Sequence, residues 1–193
     1  MTYGPESALI VVDVQNDFAD PNGSLYVAGG EETVPFINEQ IAAALAADAT
    51  VVYTQDWHPA STPHFVKDGG IWPVHCVATT WGAAFPPALE VAGESVKKGV
   101  AGEDGYSGFT VRDPVSGQET PTGLADLLRE HGVSHVTVVG LATDYCVKET
   151  AIDAASAGFD AEVLADGIRA VDLAPGDGAR AVAAMVSAGV AVH

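Results

Sequence analysis

The sequence predicts a single α/β domain built on a doubly wound, mainly parallel sheet of about six strands with helices on both faces. Three observations predict it. Apolar runs of strand length alternate with stretches of helical period to the end of the chain. The runs show no polar alternation, which marks strands covered on both sides. No linker or repeat interrupts the order.

Residues 8–14 open with Ala-Leu-Ile-Val-Val and reach Asp13 without a polar interruption, the pattern of a buried parallel strand. Val34, Ile37, Ile41 and Leu45 then recur at helical spacing, and residues 50–55 return to a strand-like run, completing a β-α-β unit. A short strand is expected over 95–98, and a helix over 122–131, where Leu124, Leu127 and Leu128 share a face. Strand 135–139 follows, then helix 144–157, strand 161–164, a helix over 175–188 with Pro175 near its first turn, and a last short strand over 190–192. Parallel neighbours need crossover connections, and the crossovers cover the sheet. The stretch 56–87 fits this scheme worst: it holds five prolines and three of the six histidines with no clear period. Long irregular segments inside compact domains are usually functional.

The 193 residues, 48% of them hydrophobic, suffice to fill one core, so a single domain over 1–193 is expected. Eight Lys and Arg against 26 Asp and Glu give a net charge of -18, which repels nucleic-acid phosphates and anionic lipid. No apolar run approaches the roughly 20 residues of a membrane span. The segment Met1-Thr2-Tyr3-Gly4-Pro5-Glu6 has neither the basic nor the apolar region of a signal peptide, so a cytoplasmic protein is expected. Cys76 and Cys146 are the two cysteines, too few for a disulfide framework, and each thiol needs its own explanation.

Ligands of open parallel sheets bind outside the carboxyl ends of the strands. Asp13 closes the first predicted strand, Asp56 and His58 follow the second, Lys98 closes the third, and Cys146 comes shortly after the fourth. Cys146 is expected in the first turn of a helix capped by Thr143 or Asp144, where free N–H groups and the positive helix end favour a thiolate. Together Asp13, Lys98 and Cys146 supply a proton acceptor, a cation able to hold its partners ionised, and a nucleophile. No Gly-x-Ser-x-Gly occurs, so a serine hydrolase is not indicated.

A second group consists of Asp56, His58, His64 and His75. Imidazole and carboxylate suit zinc, iron or manganese, and three nitrogens with one oxygen leave positions open for water or substrate. His131, His135 and His193 have no such company and are read as structural. Cys76, beside His75, is read as a packed thiol.

These residues lie in a set of motifs spanning nearly the whole chain: Val11-Val12-Asp13-Val14-Gln15-Asn16-Asp17-Phe18, Asp56-Trp57-His58-Pro59, His64-Phe65, Trp72-Pro73-Val74-His75-Cys76, Lys98-Gly99, Tyr106-Ser107-Gly108-Phe109 and Gly140-Leu141-Ala142-Thr143-Asp144-Tyr145-Cys146-Val147. On them the sequence resembles the nicotinamidases and pyrazinamidases of the isochorismatase-like cysteine hydrolase family. The resemblance implies that family's hydrolase fold and amide hydrolysis through a cysteine thioester, with nicotinamide converted to nicotinate and ammonia in NAD salvage and pyrazinamide as a further substrate. It implies Asp13, Lys98 and Cys146 as the catalytic triad, the N–H groups of Ala142 and Cys146 as the oxyanion hole, and a cis peptide between Leu141 and Ala142. It also implies one divalent metal, zinc before iron or manganese, on Asp56, His58, His64 and His75, anchoring the pyridine nitrogen. Phe18, Trp72 and Tyr106 are expected as walls for the ring, and Tyr145 as a residue that tunes the pocket. The triad lysine is assigned by its Lys-Gly pair, since Lys97 directly precedes Lys98 and one position reverses the facing in a strand.

The competing reading is another cysteine amidohydrolase of the same fold acting on a different amide or ureido substrate, which would need no pyridine anchor. A vinyl-ether hydrolase would leave the cysteine idle, and a nucleotide-binding module lacks its Gly-x-Gly-x-x-Gly. The expected partners are a small-molecule amide and further copies of the same chain in a homo-oligomer, with no nucleic acid and no membrane.

Overall fold

The computed structural model describes residues 3–193. Met1 and Thr2, which head the segment read as lacking signal-peptide features, lie outside the described residues. In chain order the elements are β1 (Ser7–Val12), α1 (Asn16–Ala19), α2 (Val34–Ala46), β2 (Thr50–Asp56), β3 (Glu94–Lys98), β4 (Thr110–Arg112), β5 (Glu119–Pro121), α3 (Leu124–Glu130), β6 (His135–Leu141), α4 (Lys148–Ser156), β7 (Asp160–Arg169), α5 (Asp177–Ser187) and β8 (Ala191–Val192). No helix among the described residues is long and apolar enough to cross a membrane.

β1 is apolar at almost every position because both of its faces are covered. Leu9 and Val11 enter one core with Ile37, Ile41 and Ala44 of α2. Ala8, Ile10 and Val12 enter the opposite core with Leu124 and Leu128 of α3, Ala151 and Ala154 of α4, and Met185 of α5. This is the period-two division of a strand between two apolar layers.

Six strands form one parallel sheet in the order β3-β2-β1-β6-β7-β8, as the alternation of elements predicts. From β1 the chain steps outward to β2 and β3, then returns to β6 and steps outward the other way. The order therefore reverses between β1 and β6, and connections leaving that point diverge and open a crevice at the strand ends. Gly140 sits where these two strands approach: at φ 117° it is in a conformation open to glycine, and a Cβ there would lie 2.1 Å from Val12 O.

Three departures from expectation lie outside the site. β7 runs to Arg169 rather than stopping at 164, because pairing passes from Val138–Val163 to Gly140–Ile168 across an irregularity whose Ala165-Asp166-Gly167 looks like a turn in sequence. Pro175 precedes α5 instead of entering its first turn; Gly176, at φ 87°, makes the corner, and Asp177 Oδ2 accepts the Ala174 N–H at 2.8 Å. The short antiparallel hairpin β4–β5 carries no apolar alternation that could announce it, since β5 is wholly exposed.

Candidate active site

Asp13 leaves β1 with φ 49°, its N–H 3.2 Å from both the carbonyl and Oγ1 of Thr54, and its Oδ1 accepts the Thr54 hydroxyl at 2.6 Å. The turn aims Asp13 Oδ2 at Lys98 Nζ, 2.7 Å away. Lys98 is the last residue of β3 and fully buried; its ammonium also donates to Asp56 Oδ1 and Gly105 O, and lies 3.8 Å from Cys146 Sγ. Lys97 is on the other side of the strand, exposed, with Nζ 3.6 Å from the centroid of the Trp57 ring. The Lys-Gly pair therefore picks out the lysine that faces inward.

Cys146 is not in the first turn of a capped α-helix. Thr143–Val147 form a π-helical turn ahead of α4, and no side chain caps it. Asp144, expected as a cap, instead accepts the N–H groups of Val171 and Asp172 through its two oxygens, both at 2.9 Å. The surroundings also work against the expected thiolate. Burial pushes the Cys146 thiol well above its usual pKa; Lys98 opposes this, and the carboxylates of Asp13 and Asp56 reinforce it.

The remaining charges follow the same accounting. Burial raises the Asp13 carboxyl, and the pull of Lys98 does not fully offset it because Asp56 repels. Burial also opposes ionisation of Asp56, but Lys98 and the neighbouring imidazoles hold it well below the carboxylate range. Lys98 itself is drawn down by burial and held well above its normal value by the two aspartates. One ammonium thus faces two carboxylates, and a resting thiolate would add uncompensated charge to a dry site. The arrangement suits a neutral thiol that gives its proton to Asp13 when a substrate arrives.

The Asp56, His58, His64 and His75 group is also brought together. The three imidazoles are buried, each offering one nitrogen, and these nitrogens lie within 4.8 Å of one another. Asp56 Oδ2 is 3.7 Å from Nε2 of both His58 and His75. His75 Nδ1 is bonded to Pro73 O at 2.7 Å and His64 Nδ1 to Asp104 Oδ1 at 2.6 Å. Among the described residues neither nitrogen of His58 has a hydrogen-bond partner, although the ring is fully buried. Leaving buried polar atoms unpaired costs about 1–3 kcal/mol each, so a histidine serving only as core filling is a poor explanation. Convergent imidazole nitrogens beside a carboxylate fit a divalent transition metal. Cys76 is packed elsewhere, its Sγ 3.9 Å from Gly82 O.

Cys146 from the one group and Asp56, His64 and His75 from the other line one cavity of about 280 Å³ with Ala142, walled by Phe18, Trp72 and Tyr106; Asp13, Lys98 and His58 are not part of its lining. Trp72 Nε1 donates to the Tyr106 hydroxyl at 2.7 Å. Tyr145 completes this wall, its ring centroid 5.1 Å from Trp72 and 6.2 Å from Tyr106. The peptide between Leu141 and Ala142 is cis. Sequence reasoning gave no role to Gln15, which is buried and brackets Asp56: its Oε1 accepts the Asp56 N–H and its Nε2 donates to the Asp56 carbonyl, both at 2.8 Å. Nor did it find the far wall, residues 24–27 with Val171 and Leu173, whose types carry no chemical signature.

Comparison with known proteins agrees with this geometry. Residues 7–192 match the family model described as the isochorismatase domain. The chain is 36% identical to a nicotinamidase of Escherichia coli, over 98% of this chain and 95% of that protein. It superposes with a TM-score of 0.86 and 39% identity on the pyrazinamidase of Pyrococcus horikoshii in complex with zinc, covering 98% of this chain and 99% of that one. It superposes with a TM-score of 0.89 and 36% identity on PnC1 from L. infantum in complex with nicotinate, covering 100% of this chain and 95% of that one. With its parallel sheet, its buried cysteine site and a match that runs from the first strand to the last, the chain belongs to the isochorismatase family.

Proposed function

We propose that the protein is a nicotinamidase that hydrolyses nicotinamide to nicotinate and ammonia and accepts pyrazinamide, the reaction of NAD salvage. One observation carries the reading: the cysteine site and the histidine cluster share a cavity and are joined through Asp56, which meets Lys98 with one oxygen and faces His58 and His75 with the other. A generic amidase has no use for the second group.

In the mechanism that fits these positions, Asp13 accepts the proton of Cys146, and Sγ attacks the carboxamide carbon. The N–H groups of Ala142 and Cys146 hold the resulting oxyanion, replacing water by oriented donors. Lys98 keeps Asp13 in place and offsets its charge until the proton arrives. The C–N bond breaks as Asp13 returns the proton to nitrogen, releasing ammonia and leaving a thioester on Cys146. Asp13 then takes a proton from water, the hydroxide displaces sulfur, Asp13 passes the proton to Sγ to restore the thiol, and the acid leaves as nicotinate after losing its proton to solvent. Phe18, Trp72 and Tyr106 confine the ring. Asp56, His58, His64 and His75 would hold a divalent metal, zinc before iron or manganese, which would supply a Lewis-acidic contact for the pyridine nitrogen.

The test is ammonia release from four amides. Nicotinamide and pyrazinamide carry a nitrogen meta to the carboxamide; isonicotinamide carries it para and benzamide has none. A lost contact of a few kcal/mol corresponds to about a hundredfold or more in kcat/KM, so the first two amides should exceed the last two by that margin. Comparable rates on benzamide and nicotinamide would reduce the reading to a cysteine amidohydrolase of other specificity.

A further inference from the structure

The segment from the end of β3 to Gly105 touches both the cysteine site and the histidine cluster. Lys98 enters the cysteine site, and the Gly105 carbonyl accepts from its ammonium. A Cβ on Gly99 would lie 2.5 Å from the His58 ring, so glycine lets the chain pass against that imidazole. The Gly102 carbonyl accepts the Thr62 hydroxyl at 2.6 Å, tying the segment to the turn that carries His64. Between these contacts stands Asp104, which no motif singled out.

Asp104 Oδ1 lies 2.6 Å from His64 Nδ1, and the His64 ring is buried. The carboxylate cannot donate when ionised, so Nδ1 carries the hydrogen and Nε2 keeps its lone pair. A carboxylate behind an imidazole fixes the tautomer, resists rotation of the ring and raises the basicity of the opposite nitrogen. The backbone of Asp104 is itself held: its N–H and C=O pair with the C=O and N–H of Arg112, both at 2.8 Å, and Arg112 belongs to β4. The hairpin β4–β5, otherwise without a part in the site, thus anchors the residue that orients His64.

We propose that Asp104 is a positioning residue for metal capture, presenting His64 Nε2 to the ion as Pro73 O presents that of His75, and that the hairpin β4–β5 serves to hold Asp104 in place. This rests on the metal-site reading above and goes beyond it, since it assigns a function to a residue that touches neither metal nor substrate. Its role is electrostatic and directional, so an amide in its place should serve only in part.

The test measures zinc affinity by competition with a chromophoric chelator on purified metal-free protein, for the parent, Asp104→Ala, Asp104→Asn and His64→Ala, with circular dichroism as the check on folding. Asp104→Ala should weaken zinc about 10- to 100-fold and speed its release to the chelator. Asp104→Asn, which keeps an acceptor but loses the charge, should fall between it and the parent. Loss of affinity in His64→Ala with parental affinity in both Asp104 variants would overturn the proposal and leave the metal site standing. Parental affinity in all three would overturn the assignment of His64 as a ligand and this proposal with it. Should Asp104→Ala not fold, Asp104→Asn decides: a severalfold loss supports the role and parental affinity refutes it.

Discussion

Asp56 Oδ1 accepts a hydrogen bond from Lys98 Nζ, so the carboxylate facing the histidine cluster is also a counter-ion of the buried ammonium. The two halves of the site share a charge as well as a cavity. Whatever alters Asp56 must therefore act on both, whereas the histidines can be altered one at a time.

His58→Ala is expected to separate metal binding from folding. Elemental analysis of the purified parent should give about one divalent transition metal per chain, and the variant should lose it. Because an ion that binds only the folded state raises its stability, added zinc should raise the Tm of the metal-free parent and leave that of His58→Ala unmoved. An equal rise in both would contradict the ligand assignment.

Cys146→Ala is expected to abolish turnover while the protein still folds. The thiol is buried, but removing one sulfur opens only a small void, at roughly 1 kcal/mol. Loss of a nucleophile costs on the order of 10^4-fold or more in kcat. Ammonia release within tenfold of the parent would exclude the thioester route.

The neighbouring lysines should behave as opposites. Lys98→Met leaves Asp13 and Asp56 facing each other without a cation, and breaking a buried pair in this way costs about 3–5 kcal/mol. It should lower both denaturant midpoint and activity. Lys97→Ala removes an exposed stacking contact on Trp57 and should stay within about 1 kcal/mol and near parental turnover. Reversal of these outcomes would place β3 in the wrong register.

Gly82→Ala should loosen the wall of the cavity from a distance. A Cβ there would lie 2.1 Å from Asp17 Oδ2, the oxygen that accepts the Cys76 N–H at 2.7 Å, while Asp17 Oδ1 accepts the Ser24 N–H at 3.1 Å. Displacing Asp17 disturbs the loop that carries His75 together with the loop that starts at Ser24. A loss of about 1–3 kcal/mol in stability is expected, with KM for nicotinamide raised more than kcat is lowered. Unchanged stability and KM would show that Asp17 does not couple these loops.

Asp144→Ala should act on the opposite wall. Its carboxylate fixes Val171 and Asp172 beside the turn that holds Cys146, and Val171 and Leu173 line the cavity. Freed, this wall should reduce kcat/KM for nicotinamide about tenfold or more and narrow the preference for it over bulkier amides. A parental ratio between the amides would refute the clamp.

The parallel sheet and its two covered faces were legible in the sequence because burial on both sides leaves uninterrupted apolar strands, and an amphipathic helix repeats on its own period. Asp13, Lys98 and Cys146 were legible because their residue types bear chemistry and follow predicted strand ends, and Asp56 with the three histidines because these ligand types gather within 56–75. Tertiary structure alone decided what these residues do to one another. The sequence suggested a thiolate at a helix start, yet burial beside two carboxylates pushes the Cys146 thiol up. It offered Thr143 or Asp144 as a cap, yet two backbone N–H groups from residues far along the chain claim Asp144. Asp104 was one acidic residue among 26, and only the fold brings it 2.6 Å from an imidazole forty positions away. Periodicity and residue chemistry are local properties that one chain segment can display by itself. Charge balance, hydrogen-bond partnership and the shape of a cavity belong to pairs of segments, and they exist only once the fold has brought those segments together.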